Sequence, residues 1–203
     1  MFTLGVFYKY FTTPIEVYLN QSGAGSSNTF NFINADKATG YGVEFEMRKK
    51  LDFVKALKNF TFTSNISYIH NRVSGSTNAK INRPMQGQSP YVINAGLQYD
   101  VEKYGITSTV LFNQIGRRIA YVGNDQTPVI WEAPRPVLDF QLAKKVLKSK
   151  GEIKLNISDI INKKANFYHD LNDNGKYSKL VDALAIERKY GTTFSITFGY
   201  NIK

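Results

Sequence analysis

Hydrophobic and polar residues alternate along most of this chain. In residues 60–68, Phe60, Phe62 and Ile66 fall on one face, and threonine, asparagine and serine fall on the other. The same alternation recurs in three other segments, residues 41–48, 91–100 and 194–202. A β-strand with one apolar and one polar face produces a period of two, whereas a helix repeats roughly every 3.6 residues. The pattern therefore predicts four β-strands in these segments.

Four further segments alternate less regularly and are also predicted to be strands, namely residues 2–12, 106–116, 136–146 and 152–161. Threonine and serine occur on both faces of 106–116, so the sequence leaves the facing of that strand open. Two kinds of connection then alternate along the chain. The short ones lie near residues 51–59, 101–105 and 147–151. The long ones lie near residues 13–40, 73–90, 117–135 and 162–191. Residues 14–20 and 28–34 are expected to extend the first hairpin.

Short turns at one end of a sheet and long loops at the other are typical of an outer-membrane β-barrel, with its short turns in the periplasm. No run of about eighteen apolar residues is present, so the sequence contains no candidate for a transmembrane helix. We therefore predict an all-β fold, an antiparallel outer-membrane β-barrel segment of about eight strands, with short periplasmic turns and long extracellular loops.

The residue types on the two faces favour a membrane barrel over a soluble one. Threonine, serine, asparagine and glutamine dominate the polar face of several strands, as expected for a hydrated lumen. The chain has 13 tyrosines, 14 phenylalanines and one tryptophan, and many of these aromatics lie near strand ends, where barrels carry interfacial girdles. A soluble lipocalin-like barrel would alternate as well, with its apolar face turned inward.

The net charge of +10 raises the question of an anionic partner. Lysines cluster at the short-turn ends, where they would meet the anionic head groups of outer-membrane lipids. No nucleic-acid-binding module is recognisable, so no nucleic-acid partner is expected. Cysteine is absent, which excludes disulfides and thiolate metal sites. No arrangement for nucleophilic catalysis is visible, and the protein is not expected to be an enzyme.

One segment matches the opening of a calcium-binding loop, D-x-[DN]-x-[DN]-G. Asp170, Asn172 and Asn174 would supply side-chain oxygens, and Gly175 would permit the sharp turn. The backbone carbonyl of Lys176 and the side chain of Asp182 would complete the site. Position 12 of the motif is a valine, and asparagine, aspartate and glycine also dominate plain turns. Calcium is therefore a possible cofactor of residues 170–182, with an Asx-rich turn as the alternative.

Several segments resemble, in order, the C-terminal half of TonB-dependent receptors. The most characteristic is Pro-Met-Gln-Gly-Gln-Ser-Pro-Tyr-Val-Ile-Asn-Ala-Gly-Leu-Gln-Tyr at 84–99. The others are Phe7-Tyr8-Lys9 with Pro14-Ile15-Glu16, Tyr41-Gly42-Val43-Glu44-Phe45-Glu46, Asn113-Gln114-Ile115-Gly116-Arg117-Arg118-Ile119, Pro136-Val137-Leu138-Asp139-Phe140, Asn156-Ile157-Ser158-Asp159-Ile160-Ile161-Asn162 and Gly191-Thr192-Thr193-Phe194-Ser195-Ile196-Thr197-Phe198-Gly199-Tyr200. Together they cover nearly the whole chain, although the ending Asn-Ile-Lys departs from the aromatic residue that closes many barrels.

The resemblance implies a barrel of 22 strands around a plug domain, driven by the TonB energy-coupling system, in the Gram-negative outer membrane. Residues 1–203 would be the C-terminal part of that transmembrane barrel, without the plug domain or a signal peptide. The chain would then serve active uptake of a nutrient or metal chelate, with the rest of the barrel, the plug and TonB as partners. Two alternatives remain: a stand-alone eight-stranded outer-membrane barrel acting as an anchor or adhesin, and the soluble lipocalin-like carrier.

Overall fold

A computed structural model of the chain describes residues 1–21, 28–75, 82–124 and 127–202, the side chains of residues 20, 21 and 28 excepted. In chain order, the strands are β1 (Phe2–Thr12), β2 (Ile15–Gln21), β3 (Asn28–Asn34), β4 (Lys37–Lys50), β5 (Phe60–Ser74), β6 (Tyr91–Val101), β7 (Ile106–Ile115), β8 (Arg118–Tyr121), β9 (Ile130–Glu132), β10 (Pro136–Val146), β11 (Gly151–Ser158), β12 (Ala165–His169), β13 (Ala183–Arg188) and β14 (Thr193–Tyr200). Among the described residues, helical structure is limited to short turns, none of which has the length or apolar character needed to cross a membrane.

The long strands form one antiparallel sheet in the order β1-β4-β5-β6-β7-β10-β11-β14. These are the eight strands that the alternation of residue types predicts, so the predicted fold class is confirmed. Each strand pairs with the next long strand along the chain, as in an up-and-down barrel wall. The sheet does not close, because β1 and β14 are each paired on one side only within the described residues.

Strand pairing fixes the facing of β7, which the sequence left open. Val110 lies beside Leu97 of β6 and Phe140 of β10, so it belongs to the apolar face. Thr109 lies between Gln98 and Gln141 and belongs to the polar face. Directly paired residues point to the same side of a sheet, and therefore every residue of β7 is assigned.

Three short connections join the long strands at one end of the sheet. Each contains a single 3-10 turn, at Lys55–Leu57, Glu102–Tyr104 and Leu147–Ser149. The longer connections lie at the other end, as predicted. They are more ordered than the sequence indicates, because β8, β9, β12 and β13 form a second, four-stranded sheet. β2 and β3 form a hairpin in the two segments that were expected to extend the first hairpin. A parallel bridge between Tyr18 and Val122 joins that hairpin to the end of β8. We call these six strands and their connections the outer layer.

The buried core lies at the outer end of the sheet, and the central wall contributes little to it. The largest fully buried side chains are Tyr168, Ile119, Val73 and Val122. Three of them belong to the outer layer, and Val73 stands at the outer end of β5. In mid-sheet, apolar side chains such as Leu97 stay 39% exposed. In the predicted membrane barrel, a wall one sheet thick would meet lipid directly, and these side chains would need no protein partner.

Candidate functional site: the polar face and the outer layer

One face of the eight-stranded sheet is polar across most of its width. Cross-strand pairing aligns one row of side chains from β4 to β14: Lys50, Thr61, Gln98, Thr109, Gln141, Asn156 and Ser195. A second row nearer the outer end contains Glu46, Asn65, Asn94 and Asn113. Amides and hydroxyls that are not charged predominate in both rows. This face can therefore line a hydrated passage while the opposite face meets lipid.

Hydrogen bonds between neighbouring strands tie the polar face together. The Asn113 amide donates to Asn94 at 2.6 Å, and the Gln141 amide donates to Asn156 at 2.7 Å. Asn156 in turn donates to the hydroxyl of Ser195 at 3.1 Å. Polar side chains that satisfy one another keep fixed positions, so the face presents an ordered surface to whatever lies in the lumen.

A shallow concavity of about 450 Å³ lies in the middle of the polar face. Glu46, Arg48 and Asp139 contribute charged groups to its lining. Gly96 forms part of its floor, and a Cβ atom there would lie 2.6 Å from the Thr63 hydroxyl and 3.0 Å from a Leu111 methyl. The absence of a side chain at Gly96 therefore lets the neighbouring strands pack closely beneath the concavity.

Gly96→Val is expected to destabilise the wall by roughly 1–3 kcal/mol, because the added side chain would overpack this site. Gly199→Val is the matched control: it also faces the polar side, opposite Glu152, and a Cβ there meets nothing within 4 Å. Urea unfolding of the two variants in the same bilayer measures the difference. Equal midpoints for both variants would contradict close packing at Gly96.

A buried ion pair anchors the β2–β3 hairpin to the connection between β5 and β6. Arg83 donates to Glu16 at 2.9 and 2.5 Å, and the two side chains are 7% and 2% exposed. Gln86 adds four bonds around them: its backbone N–H donates to Glu16 at 3.1 Å, its side-chain amide donates to the carbonyls of Val17 and Ala120, and its side-chain oxygen accepts from the Val17 N–H at 2.6 Å. Glu16, Arg83 and Gln86 thus hold three separate connections in one arrangement.

A second anchor joins the segment before β8 to the loop after β12. Arg117 forms an ion pair with Asp170, whose side chain is 2% exposed, and donates to the Tyr168 hydroxyl at 3.4 Å. Its guanidinium carbon lies 3.7 Å from the centre of the Trp131 ring, a close cation–π contact. The Tyr177 ring packs on Tyr168 with centroids 4.9 Å apart. One arginine therefore connects strands β9 and β12 with the loop that follows them.

The electrostatics of this anchor follow from burial and from Arg117. Burial raises the pKa of the Asp170 carboxyl, but the hydrogen bond and the charge of Arg117, with bonds from Gly175 and Asn174, outweigh it and leave the pKa below its ordinary value. Burial raises the pKa of the Tyr168 hydroxyl, and the hydrogen bond from Arg117 opposes that rise only in part. At neutral pH, Asp170 is therefore charged and Tyr168 is not.

The predicted calcium-loop residues are brought together in one loop, with their oxygens engaged by backbone amides. Asp170 accepts from the N–H of Asn174 at 3.2 Å and of Gly175 at 3.0 Å. Asn172 accepts from Asn174 at 3.3 Å, and Asn174 accepts from Lys176 at 2.8 Å. Such bonds are characteristic of Asx turns.

Asp182 closes the same loop from its other end. Its carboxylate accepts from Leu171 at 3.1 Å and from Ser178 at 2.6 Å. Within the described residues, no group of three or more histidine, cysteine, aspartate or glutamate side chains is placed to hold a metal ion. Calcium binding by residues 170–182 stays a prediction, and calcium would have to compete with Arg117 for Asp170.

Arg117→Gln is expected to loosen the 170–182 loop by roughly 1.5–3 kcal/mol, since Asp170 loses a charged hydrogen-bond partner. Limited proteolysis of wild type and of this variant, with calcium and with a chelator, distinguishes a loop held by Arg117 from a loop held by calcium. Faster cleavage of the variant supports the arginine anchor. If calcium also binds, the chelator raises cleavage in both proteins; an unchanged pattern in both would show the calcium prediction to be wrong.

Acid is expected to release the same loop. A carboxyl with a lowered pKa in the folded chain stabilises the fold above its unfolded pKa, and this contribution is lost as the pH falls through the folded value. Hydrogen exchange at the amides of Gly175 and Asn174, corrected for intrinsic rates, should stay slow from neutral pH down to the ordinary pKa range of aspartate. At lower pH the exchange rates should rise. Asp170→Asn cannot titrate at this position, so an equal acid response in that variant would contradict the assignment.

Sequence reasoning missed most of the residues that organise the outer layer. Glu16, Arg83, Gln86 and Arg117 were not among its candidate sites. A signal was nevertheless present, because Glu16, Gln86 and Arg117 all lie in the segments that carry the family resemblance. Each is a polar side chain close to a predicted strand end, where long connections meet.

Comparison with known proteins supports the same interpretation. The model of the outer membrane protein beta-barrel family matches residues 1–198. Among solved structures, the chain is similar to the copper transporter OprC, with a TM-score of 0.64 and 14% identity over 98% of this chain and 29% of that one. It is also similar to the outer membrane transporter YddB from Escherichia coli, with a TM-score of 0.57 and 12% identity over 97% of this chain and 29% of that one.

At these identities, the structural likeness shows the fold alone, and the chain spans less than a third of the length of either transporter. No curated protein matches. The family match covers nearly the whole chain and agrees with the resemblance drawn from its sequence segments. It also agrees with the lipid-facing apolar surface of the main sheet. The chain therefore belongs to the outer membrane protein β-barrel family, located in the outer membrane of Gram-negative bacteria.

Proposed function

We propose that residues 1–203 are the C-terminal part of the barrel wall of a TonB-dependent receptor that actively takes up a nutrient or metal chelate. The observation that carries this proposal is the polar face, on which one row of mainly amide and hydroxyl side chains crosses seven strands of an open sheet and a second row crosses four. A wall of this kind needs further strands to satisfy the free edges of β1 and β14. Closed with those further strands, the wall would surround a lumen that could hold a plug domain.

The anchored outer layer supports capture of a substrate at the outer surface. The Glu16–Arg83 and Arg117–Asp170 pairs each join connections that are far apart in sequence, which fixes the loops before any ligand arrives. Loops held in this way lose less conformational entropy on binding. The two transporters with a similar fold are in keeping with a transport role, and we propose no catalytic role.

The open sheet favours this proposal over the stand-alone barrel. In a closed eight-stranded barrel, β1 would pair with β14, and the pairing order instead ends at those two strands. An immunoblot of outer membranes with an antibody against this chain distinguishes the two. A product several times longer than 203 residues is expected from a receptor. A product of about this length would favour the anchor or adhesin.

Photocrosslinking tests the plug and the coupling partner. A photoreactive residue at Asn113, on the polar face, should crosslink to an N-terminal plug of the natural full-length protein. The same residue at Val110, on the apolar face, should crosslink only to lipid. A purified TonB periplasmic domain should bind the natural protein in bilayers. If Asn113 yields no plug product, or if TonB does not bind, the proposal of TonB-dependent uptake is overturned.

A further inference from the structure

The two faces of the second sheet differ in what covers them. On one face, Trp131 and Tyr168 are paired, and Arg117 and Tyr177 pack on their rings. The opposite face borders a cleft of about 470 Å³. The lining of this cleft includes Arg118, Tyr121, Glu132, Phe167, Arg188 and Tyr190. Its volume is within the range of small-molecule sites, roughly 300–1,000 Å³.

Strand pairing explains which side chains reach the face with the cleft. Arg118 of β8 pairs with Glu132 of β9, which in turn pairs with Phe167 of β12. Phe167 pairs with Ile186 of β13, and Arg188 follows two residues later in that strand. Paired residues point to the same side of a sheet, as do residues two apart in one strand. The four strands therefore bring charged groups from β8, β9 and β13 to one cleft.

The cleft has one more positive charge than negative. Glu132 accepts from Nε of Arg118 at 2.6 Å, so these two charges offset each other. Arg188 is exposed, and it has no ion-pair partner among the residues that the structure describes. The adjacent Glu187 pairs instead with Lys164 at 2.6 Å. Arg188 therefore carries the uncompensated charge of the cleft.

Two other arginines of the outer layer show how a stacked guanidinium group is used in this protein. Arg117 stacks on an aromatic ring and forms an ion pair with Asp170. The guanidinium carbon of Arg135 lies 4.9 Å from the centre of the Tyr190 ring, and Arg135 pairs with Asp159 at 2.6 Å. In both cases the ring holds the guanidinium group in place, and a carboxylate of the chain accepts from it.

Arg188 has the same ring contact without the carboxylate. Its guanidinium carbon lies 5.0 Å from the centre of the Phe167 ring. Phe167 is buried, so the ring is a fixed support. A guanidinium group held in this way keeps its N–H donors free at its edge, where their fork matches a carboxylate in a bidentate arrangement. Arg188 therefore resembles the other two arginines in every respect except the acceptor, which a ligand can supply.

Aromatic side chains beside Arg188 favour a ligand with a flat ring. Tyr190 lies two residues further along the chain and is 57% exposed, although Arg135 stacks on its ring. Tyr121 lines the cleft from β8, and its ring packs on Phe30 with centroids 4.7 Å apart. Aromatic walls of this kind bind rings by offset or edge-to-face contacts. A carboxylate at Arg188 would leave an attached ring beside Tyr190.

We propose that this cleft binds a small aromatic carboxylate. The guanidinium group of Arg188 holds the carboxylate, and the ring of the ligand lies against Tyr190. The site gives the proposed uptake function a substrate class, and its role in substrate capture rests on that function. Binding itself needs the folded outer layer and does not need TonB, so the two proposals can fail separately.

Ligand-observed NMR with the natural full-length protein in nanodiscs tests the site, with benzoate as the probe and empty nanodiscs as the blank. Benzoate should bind roughly ten-fold more tightly than benzamide, which keeps the ring and lacks the charge, since hydrogen bonds between charged groups are the stronger ones. Cyclohexanecarboxylate keeps the charge and lacks the flat ring, and it should bind several-fold more weakly than benzoate.

Arg188→Gln should lower the affinity for benzoate roughly ten-fold, because it removes the charged donor. Arg188→Lys keeps the charge without the planar fork and should have a smaller effect. Lys189→Gln is the matched control, since it removes the same charge at the next residue, which is exposed and does not line the cleft. Heat-dependent gel mobility verifies that every variant is folded.

Three results would each overturn the proposed site: no binding of benzoate by wild type, equal binding of the three probes, or equal affinities in Arg188→Gln and Lys189→Gln. Benzoate binding that depends on Arg188, in a protein that yields no plug crosslink and does not bind TonB, would support the site and overturn the uptake function alone.

Discussion

Arg83→Met is expected to release the β2–β3 hairpin from the rest of the outer layer, at a cost of roughly 3–5 kcal/mol for removing one partner of a buried ion pair. Glu16, 2% exposed, would lose its bonds of 2.9 and 2.5 Å and, among the residues that the structure describes, keep the side-chain bond from the Gln86 backbone alone. Hydrogen exchange should therefore accelerate at Leu19 and Val122, whose amides bond across the junction.

Two further variants test whether the unpaired buried charge of Glu16 is the cause of the faster exchange in Arg83→Met. Glu16→Leu with Arg83→Met removes both charges and should recover most of the lost protection, because an apolar pair of similar volume leaves no charge unpaired. Lys164→Gln breaks the exposed pair with Glu187, whose side chains are 53% and 40% exposed, and should cost at most about 1 kcal/mol. If Arg83→Met costs no more than Lys164→Gln, the Glu16–Arg83 pair is not the anchor described here.

The wall of the barrel could be predicted from the sequence because each of its strands separates two environments. An apolar face toward lipid and a polar face toward water impose a period of two on the residue types. For β1, predicted and observed bounds are both 2–12, and for β10 both are 136–146. Only the facing of β7 needed the structure, because Ser108 and Thr109 offer no contrast between its faces.

The second sheet, formed by β8, β9, β12 and β13, could not be predicted in the same way, since its strands are short and β12 is packed on both sides. In β12, Ala165, Phe167 and Tyr168 are all buried, which removes the alternation that marks a half-exposed strand. β9 has three residues, too few for any period to show. The sequence therefore predicted long loops where the structure has a second sheet.

The candidate site shows a different limit of prediction from the sequence. Asp170 was predicted as a possible calcium ligand, with an Asx-rich turn as the alternative, and its observed ion-pair partner is Arg117, 53 residues earlier in the chain. Arg83 and Glu16 are 67 residues apart. Local spacing can indicate a turn or a metal loop; it cannot identify a charge partner that only the folded topology brings near.

Leu97→Arg is expected to impair insertion of the wall by roughly 2–4 kcal/mol, because it places a charge on the lipid face near mid-strand. Leu97 lies between Phe62 and Val110 on the apolar face, four residues from one end of β6 and six from the other. Folding of the natural protein into bilayers, followed by urea unfolding, gives the change in the free energy of unfolding. Ile93→Arg, on the same face of β6, should act in the same direction.

Gln98→Arg is the matched control, since Gln98 is the next residue and faces Thr61 and Thr109 on the polar side. Its new charge would lie in water, beside the Asp100 carboxylate that Gln98 already contacts at 2.7 Å, and should cost little. The difference between the two variants measures which face meets lipid. If Gln98→Arg were the costly change, the apolar face would have to enclose a cavity. The lipid-facing surface would then be assigned to the wrong side of the sheet.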